Sequence, residues 1–199
     1  MSRFVLLLLS LSLSACVGSN ISPLDYSSPT AIVPGSGQIS VGAVTDTRGR
    51  ENVNSYGVVR GLYGNPIKTF STQGPVAETV SRAFGSALAA RGMLARSPGG
   101  MEIRVTMSQF DATSYFRLEA KVTLVAQLVD AGGRVLGEFR GQSMKVRGTA
   151  NQISGALFSD MNALAGVAPV AMSDAIDQIV DDPAFRRAIA GAGVGRPGV

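Results

Sequence analysis

Few side chains in this sequence can do chemistry, and they do not group. Cys16 is the only cysteine among 199 residues, and histidine is absent. Without histidine there is no His-based triad, no imidazole general acid or base, and none of the commonest zinc ligands. Carboxylate and Ser-Lys chemistry remain open in principle. The candidate carboxylates Asp46, Asp111 and Asp160 share no spacing that would bring them together. Ser154, Ser159 and Ser173 have no recognisable lysine partner or nucleophile elbow. These six read as caps or surface residues. The expectation is a chain that is not an enzyme, with no catalytic residue, no metal site and no cofactor.

That leaves Cys16, and what precedes it suggests its role. Met1-Ser2-Arg3 gives a charged start, Phe4 to Leu9 a short apolar run, and small residues follow, the pattern of a secretory signal. The run is too short and too broken by serines to span a bilayer comfortably. Leu13-Ser14-Ala15-Cys16 resembles the bacterial lipobox, in which a diacylglyceryl group is attached to the cysteine before cleavage. The resemblance implies a signal peptide over 1–15 and a mature chain held to the membrane by acyl chains on Cys16. Val17 is not an inner-membrane retention signal, so the cell envelope is the expected location, facing the periplasm, at the outer membrane rather than the inner. The alternative is an ordinary secreted protein with a chance cysteine beside its cleavage site. Either way the lone thiol closes no intrachain disulfide, so the fold must stand on packing.

Charge narrows the partners. The chain carries 18 basic and 14 acidic residues, a modest excess and not a basic stripe, and nucleic acid is not an expected partner. Residues 16–38, with Pro23, Pro29 and Pro34 among Ser, Gly and Asn, read as a flexible leash between lipid and domain. Ile21, Leu24, Tyr26, Ile32 and Val33 leave open the alternative that part of it docks.

The elements that would position a site begin at Ile39. Ile39, Val41 and Ala43 alternate as a short strand, broken by Asp46-Thr47-Arg48-Gly49-Arg50. Residues 52–70 are rich in Gly, Asn and Tyr, with short strands at Val58-Val59 and Ile67–Phe70. A connection this long is usually functional or disordered. Arg48, Arg50, Tyr56, Arg60 and Tyr63 are the candidate partner-binding residues here, and an edge hairpin whose tyrosines cover the sheet is the alternative. A helix follows, with Pro75 at its first position, Val76, Val80, Phe84, Ala87 and Leu88 on one face, and Gly92 ending it. Gly85 inside it would mark close contact with the sheet.

The strongest β signals come next. Met101, Ile103, Val105 and Met107 alternate with polar residues, as does the run from Phe116 to Leu128. Asp130-Ala131-Gly132-Gly133 is a hairpin turn. Pairing Val129 with Arg134 sets Leu128 opposite Val135, Ala126 opposite Gly137 and Leu124 opposite Phe139, all six on one face, with a shallow spot for a helix at Ala126 and Gly137. A bulge beyond Gly141 would turn Met144 and Val146 inward. Arg104, Arg117, Lys121, Arg134 and Arg140, mixed with Glu102, Glu119 and Glu138, read as a solvated face. Helical spacing returns at Leu157, Met161, Leu164 and Ala168, and again at Met172, Ile176, Ile179 and Val180, with Pro169 kinking one helix or separating two. Asp182 caps a short coda, Ala184 to Ile189, and 191–199 reads as a disordered tail.

This order predicts an α+β fold: an antiparallel sheet with a long meander, helices packed on one face, two layers, one domain over 39–190. The lipobox cysteine, the Pro-rich leash, Ile-Ser-Val-Gly-Ala-Val-Thr-Asp-Thr-Arg at Ile39–Arg48, the helix ending Ala89-Ala90-Arg91-Gly92-Met93 and the meander together resemble YajG-type envelope lipoproteins. Auxiliary lipoproteins of ABC-type transporters share much of the layout. The resemblance implies a lipid-anchored periplasmic domain without catalytic residues, and carries over Asp46 and Arg48 as a structural corner. The expected function is a non-catalytic binding or assembly module with an envelope protein or glycan as partner. The alternative is an auxiliary lipoprotein of an ABC-type lipid or envelope-polymer transporter.

Overall fold

The computed structural model describes residues 18–27, 38–61, 63–97, 100–115, 117–147 and 163–193. The expectations for Cys16, Ile32, Val33, Phe116, Ser154, Leu157, Ser159, Asp160 and Met161 lie outside the described residues, as do those for 1–15 and 194–199. Among the described residues seven strands form one sheet: β1 (Gly18–Ile21), β2 (Ile39–Asp46), β3 (Ser55–Arg60), β4 (Pro66–Ser71), β5 (Met101–Ser114), β6 (Leu118–Val129) and β7 (Val135–Arg147). The helices are α1 (Val76–Ala90), α2 (Ala163–Val180) and α3 (Pro183–Gly193).

The sheet is mixed, not antiparallel throughout. β5, β6 and β7 form the expected antiparallel meander, but β1 is parallel to β4, and both β2 and β3 are parallel to β5. Connectivity explains this. The β3–β4 hairpin and α1 together form a crossover that returns the chain to β2's direction before β5 begins. β5 spans 14 residues, so its edge takes two strands end to end: β2 beside Met101–Met107, β3 beside Ala112–Ser114.

A bulge between Met107 and Gln109 hides half of β5 from its pattern. Before it the odd residues Met101, Ile103, Val105 and Met107 are buried; after it Phe110, Ala112 and Ser114 are. An extra residue reverses the period-2 parity. β2 does the same between Val41 and Val44: Val44 packs on the core and Ala43 is exposed.

The hairpin register shifts by two from expectation. Asp130 donates to the Arg134 carbonyl and Gly133, at φ 84°, donates to that of Asp130, so the turn takes up residues 130–134. With a bulge at Val129, Leu128 meets Gly137, Ala126 meets Phe139, and Leu124 meets Gly141. A two-residue shift preserves parity, so Leu124, Ala126 and Leu128 stay buried, but Val135 is exposed. Beyond Gly141 the pairing runs on regularly to Arg147. Ser143 therefore takes the core position, and Met144 and Val146 remain on the outer face, 58% and 46% exposed.

The helices cover one face. The shallow spot that admits α2 is Gly141, not Gly137: a Cβ there would lie 1.8 Å from the Ala175 carbonyl oxygen. α2 is one helix with Pro169 inside it, burying Leu164, Ala168, Ala171, Met172, Ala175, Ile176 and Ile179. α1 buries the predicted face, with Pro75 just before its first turn and Gly92 at φ 66° after its last. Gly85 makes no close contact; a Cβ there would meet no described atom within 4 Å. Asp182 caps α3 by accepting from the Ala184 N–H at 2.6 Å, and Phe185 packs edge-on to Phe139. α3 carries regular structure to Gly193.

Candidate functional site

Where β2 leaves β5 and β3 takes over, backbone groups must find other partners. The Asp-Thr-Arg corner supplies them. The Thr47 N–H donates to the Met107 carbonyl at 3.0 Å. The Arg48 guanidinium grips Asp46 with two bonds, Nε to Oδ1 at 2.9 Å and Nη2 to Oδ2 at 2.6 Å. It also donates to the carbonyls of Ser55 at 2.8 Å, Val53 at 3.1 Å and Phe110 at 3.4 Å. Arg48's side chain is 2% exposed. Its planar fork suits this, because several donors are fixed by one ordered group. The side-chain bond from Arg48 holds the Asp46 carboxyl below the usual carboxylate range, against the opposing effect of burial.

This arrangement disperses the five expected partner-binding residues. Arg48 belongs to the corner, where its nearly buried side chain is taken up by Asp46 and backbone carbonyls. Tyr56 is also a correction: it is fully buried, its ring tilted against Phe70 at 6.2 Å and Phe110 at 5.9 Å. It sits at a bulge in β3, where Ser55 and Gly57 pair with adjacent residues of β4, which aims it into the core. Burial pushes its pKa up against a smaller opposing influence of Ser22 nearby, and its hydroxyl makes no well-formed hydrogen bond among the described residues. Arg50 pairs with Asp111 and is partly exposed. Only Arg60 and Tyr63 stand together on the surface, at the β3–β4 turn, where Arg60 donates to the Gly64 carbonyl at 2.9 Å and Tyr63 is 97% exposed.

The N-terminal segment is part of the domain. β1 adds to the free edge of β4, pairing Gly18 with Lys68 through Ile21 with Ser71. Leu24 then enters the core. Tyr26 donates to Asp177 Oδ1 at 2.5 Å and accepts from Arg91 Nη1 at 2.9 Å. The nearly buried Arg91 also bonds Asp177 at 2.8 Å and Asp181 at 2.5 Å, tying α1, α2 and the N-terminal segment together. Its bond to Asp181 keeps Arg91 protonated more firmly than usual and, in return, lowers the Asp181 pKa. So the first part of the expected flexible leash is docked, with Ile21 left exposed. Sequence reasoning missed this cluster; an aromatic in a proline-rich stretch was its one signal. A groove of about 400 Å³ lies between this segment and α1, lined by Leu24, Tyr26, Thr72, Thr79, Arg82 and Ala83 among others.

The two candidate carboxylates among the described residues are held in structural pairs, Asp46 with Arg48 and Asp111 with Arg50. Ser173 accepts from the Ser27 N–H at 3.1 Å. On the outer face of the sheet, Glu119 lies between Arg117 and Lys121, and Arg104 pairs with Glu102, a surface of mixed charge. No group of carboxylates among the described residues is placed to hold a metal ion, and no helix there is long and apolar enough to cross a membrane.

No family model matches the chain, and no curated protein does. Solved structures do. A protein from Xanthomonas campestris, XCC0632, described as DUF330, matches at 14% identity with a TM-score of 0.57, over 88% of this chain and 97% of that one. A putative lipoprotein from Caulobacter crescentus matches at 16% identity and a TM-score of 0.40, over 72% and 93%. Lipoprotein GNA1162 from Neisseria meningitidis matches at 10% and 0.36, over 65% and 99%. The latter two likenesses are too loose to carry an argument. What the comparisons establish is that this chain has the fold of the Xanthomonas protein.

Proposed function

We propose that this protein is a lipid-anchored, non-catalytic module of the bacterial envelope that binds or assembles with another envelope component. The observation that carries this reading is the start of regular structure only two residues after Cys16, with residues 18–27 built into the sheet edge and core. Such a docked start suits a domain whose N-terminus is a fixed attachment point. The ion-paired carboxylates favour a structural framework over a reaction centre. An auxiliary role beside an ABC-type lipid or envelope-polymer transporter is a narrower form of the same reading.

The test is acyl labelling of cells making the protein or its Cys16→Ser variant, with photocrosslinking from position 63 in intact cells. Acylation lost in the variant, together with capture of an envelope protein or glycan, supports the reading; a captured transporter component selects the auxiliary role. An unacylated wild-type chain that fractionates as soluble protein overturns it.

A further inference from the structure

The end of the sheet from which β1 starts gathers positive charge. β1 is parallel to β4, β4 antiparallel to β3, β3 parallel to β5, and β6 antiparallel to both β5 and β7. The starts of β1, β4 and β6 and the ends of β3, β5 and β7 therefore lie at one end. Arg60, Lys68, Arg117 and Arg147 stand there, with the almost fully exposed Tyr63 on the β3–β4 turn. The acid of the described strands at this end, Glu119, is nearly buried between Arg117 and Lys121. At the opposite end acids are more numerous: Arg134 pairs with Asp130, Arg91 with Asp177 and Asp181, and Arg186 with Asp181, while Arg96 stands exposed.

Chain geometry ties the basic end to Cys16. Gly18 pairs with Lys68. Two residues of extended chain span about 7 Å, which is how far Cys16 can lie from Gly18. A surface that holds Cys16 therefore stays close to the Gly18–Lys68 edge, and it meets Arg117 and Arg147, about four and five strands further across, when it lies along this end of the sheet. A long free leash would leave the domain's orientation open; a docked β1 does not.

We infer that this end is the membrane-contacting face, where Arg60, Lys68, Arg117 and Arg147 meet anionic phospholipid headgroups and the Tyr63 ring lies in the interface. The inference rests on the reading of Cys16 as an acylated anchor. Tyrosine suits the boundary because its ring is apolar and its hydroxyl polar. Basic residues next to an anionic leaflet strengthen contact by about fivefold each.

The chain has no tryptophan, so Tyr63→Trp and Val135→Trp place single probes at the basic end and at the far hairpin. Full-length protein, processed in cells, is reconstituted into vesicles of equimolar phosphatidylcholine and phosphatidylglycerol doped with brominated lipid. The probe at 63 should be blue-shifted and quenched, and that at 135 unaffected. Combining Tyr63→Trp with Arg60→Gln and Arg147→Gln should weaken the contact about fivefold per charge removed. Equal quenching at both positions, or none at 63, overturns the inference. So does quenching at 63 that is the same in pure phosphatidylcholine. The mass of the N-terminal peptide reports the anchor separately. If Cys16 is unmodified, the anchoring reading fails, and coupling its unique thiol to a maleimide lipid lets the same probes decide the orientation.

Discussion

Tyr56 decides whether the 52–70 segment is a recognition loop or part of the core. Its side chain is fully buried between Phe70 and Phe110. Truncation to alanine removes a buried aromatic ring, which costs about 3–5 kcal/mol in most cores. About 0.5–1.5 kcal/mol for each ring pair is contained in that cost. For a domain of this size roughly 2–4 °C accompanies each kcal/mol, so Tyr56→Ala is expected to lower Tm by about 6–20 °C. Tyr56→Phe is the sharper variant. The hydroxyl makes no well-formed hydrogen bond among the described residues, and burying such a group costs about 1–3 kcal/mol. Phenylalanine keeps the ring and removes that cost, so its Tm should match or exceed the parent's. Tyr63→Ala, on the surface, should stay within about 0.5 kcal/mol. Calorimetry and urea melts on the Cys16→Ser protein measure all three. An unchanged Tm for Tyr56→Ala would refute the core assignment. A loss above about 1.5 kcal/mol for Tyr56→Phe would show that the hydroxyl is bonded after all.

Arg48→Lys should be far from conservative. A lysine cannot reproduce the grip on Asp46 and the three carbonyl bonds, and breaking a buried pair this way costs about 3–5 kcal/mol in a urea melt. Acid should act through the same pairs. Asp46 and Asp181 have lowered pKa values in the folded state, so their contribution is complete above the unfolded carboxylate value near 4 and is lost as pH falls through the folded values. Stability measured against pH should therefore drop below about pH 4, and Arg91→Met should flatten that drop. Two glycines should respond oppositely in thermal melts. Gly141→Ala drives a methyl into the Ala175 carbonyl and should destabilise by several kcal/mol or prevent folding, whereas Gly85→Ala, with open space, should stabilise by about 0.5–1 kcal/mol.

Local patterns were legible wherever one segment carries its own signal. The alternation along β6 placed Leu124, Ala126 and Leu128 in the core, and they are there. Gly92 ends α1 and Asp182 caps α3, because a left-handed residue and a capping carboxylate act within a turn of where they stand. The Asp-Thr-Arg corner was visible as a motif. The cleavage pattern around Cys16 is read from the sequence alone.

Only the tertiary structure decided which strands are neighbours. Strand pairing uses backbone groups that every residue carries, so alternation says which residues share a face and nothing about what lies alongside. That is why the parallel pairings of β1, β2 and β3 went unseen. Single-residue bulges at Ser108 and in β3 reversed the facing, hiding Phe110 and turning Tyr56 inward. Arg48 became structural because three carbonyls from two separate segments, Val53 and Ser55 in one and Phe110 in the other, converge on it. The gathering of Arg60, Lys68, Arg117 and Arg147 at one end likewise exists only once the sheet is assembled, because residues far apart in the chain become neighbours through strand direction alone.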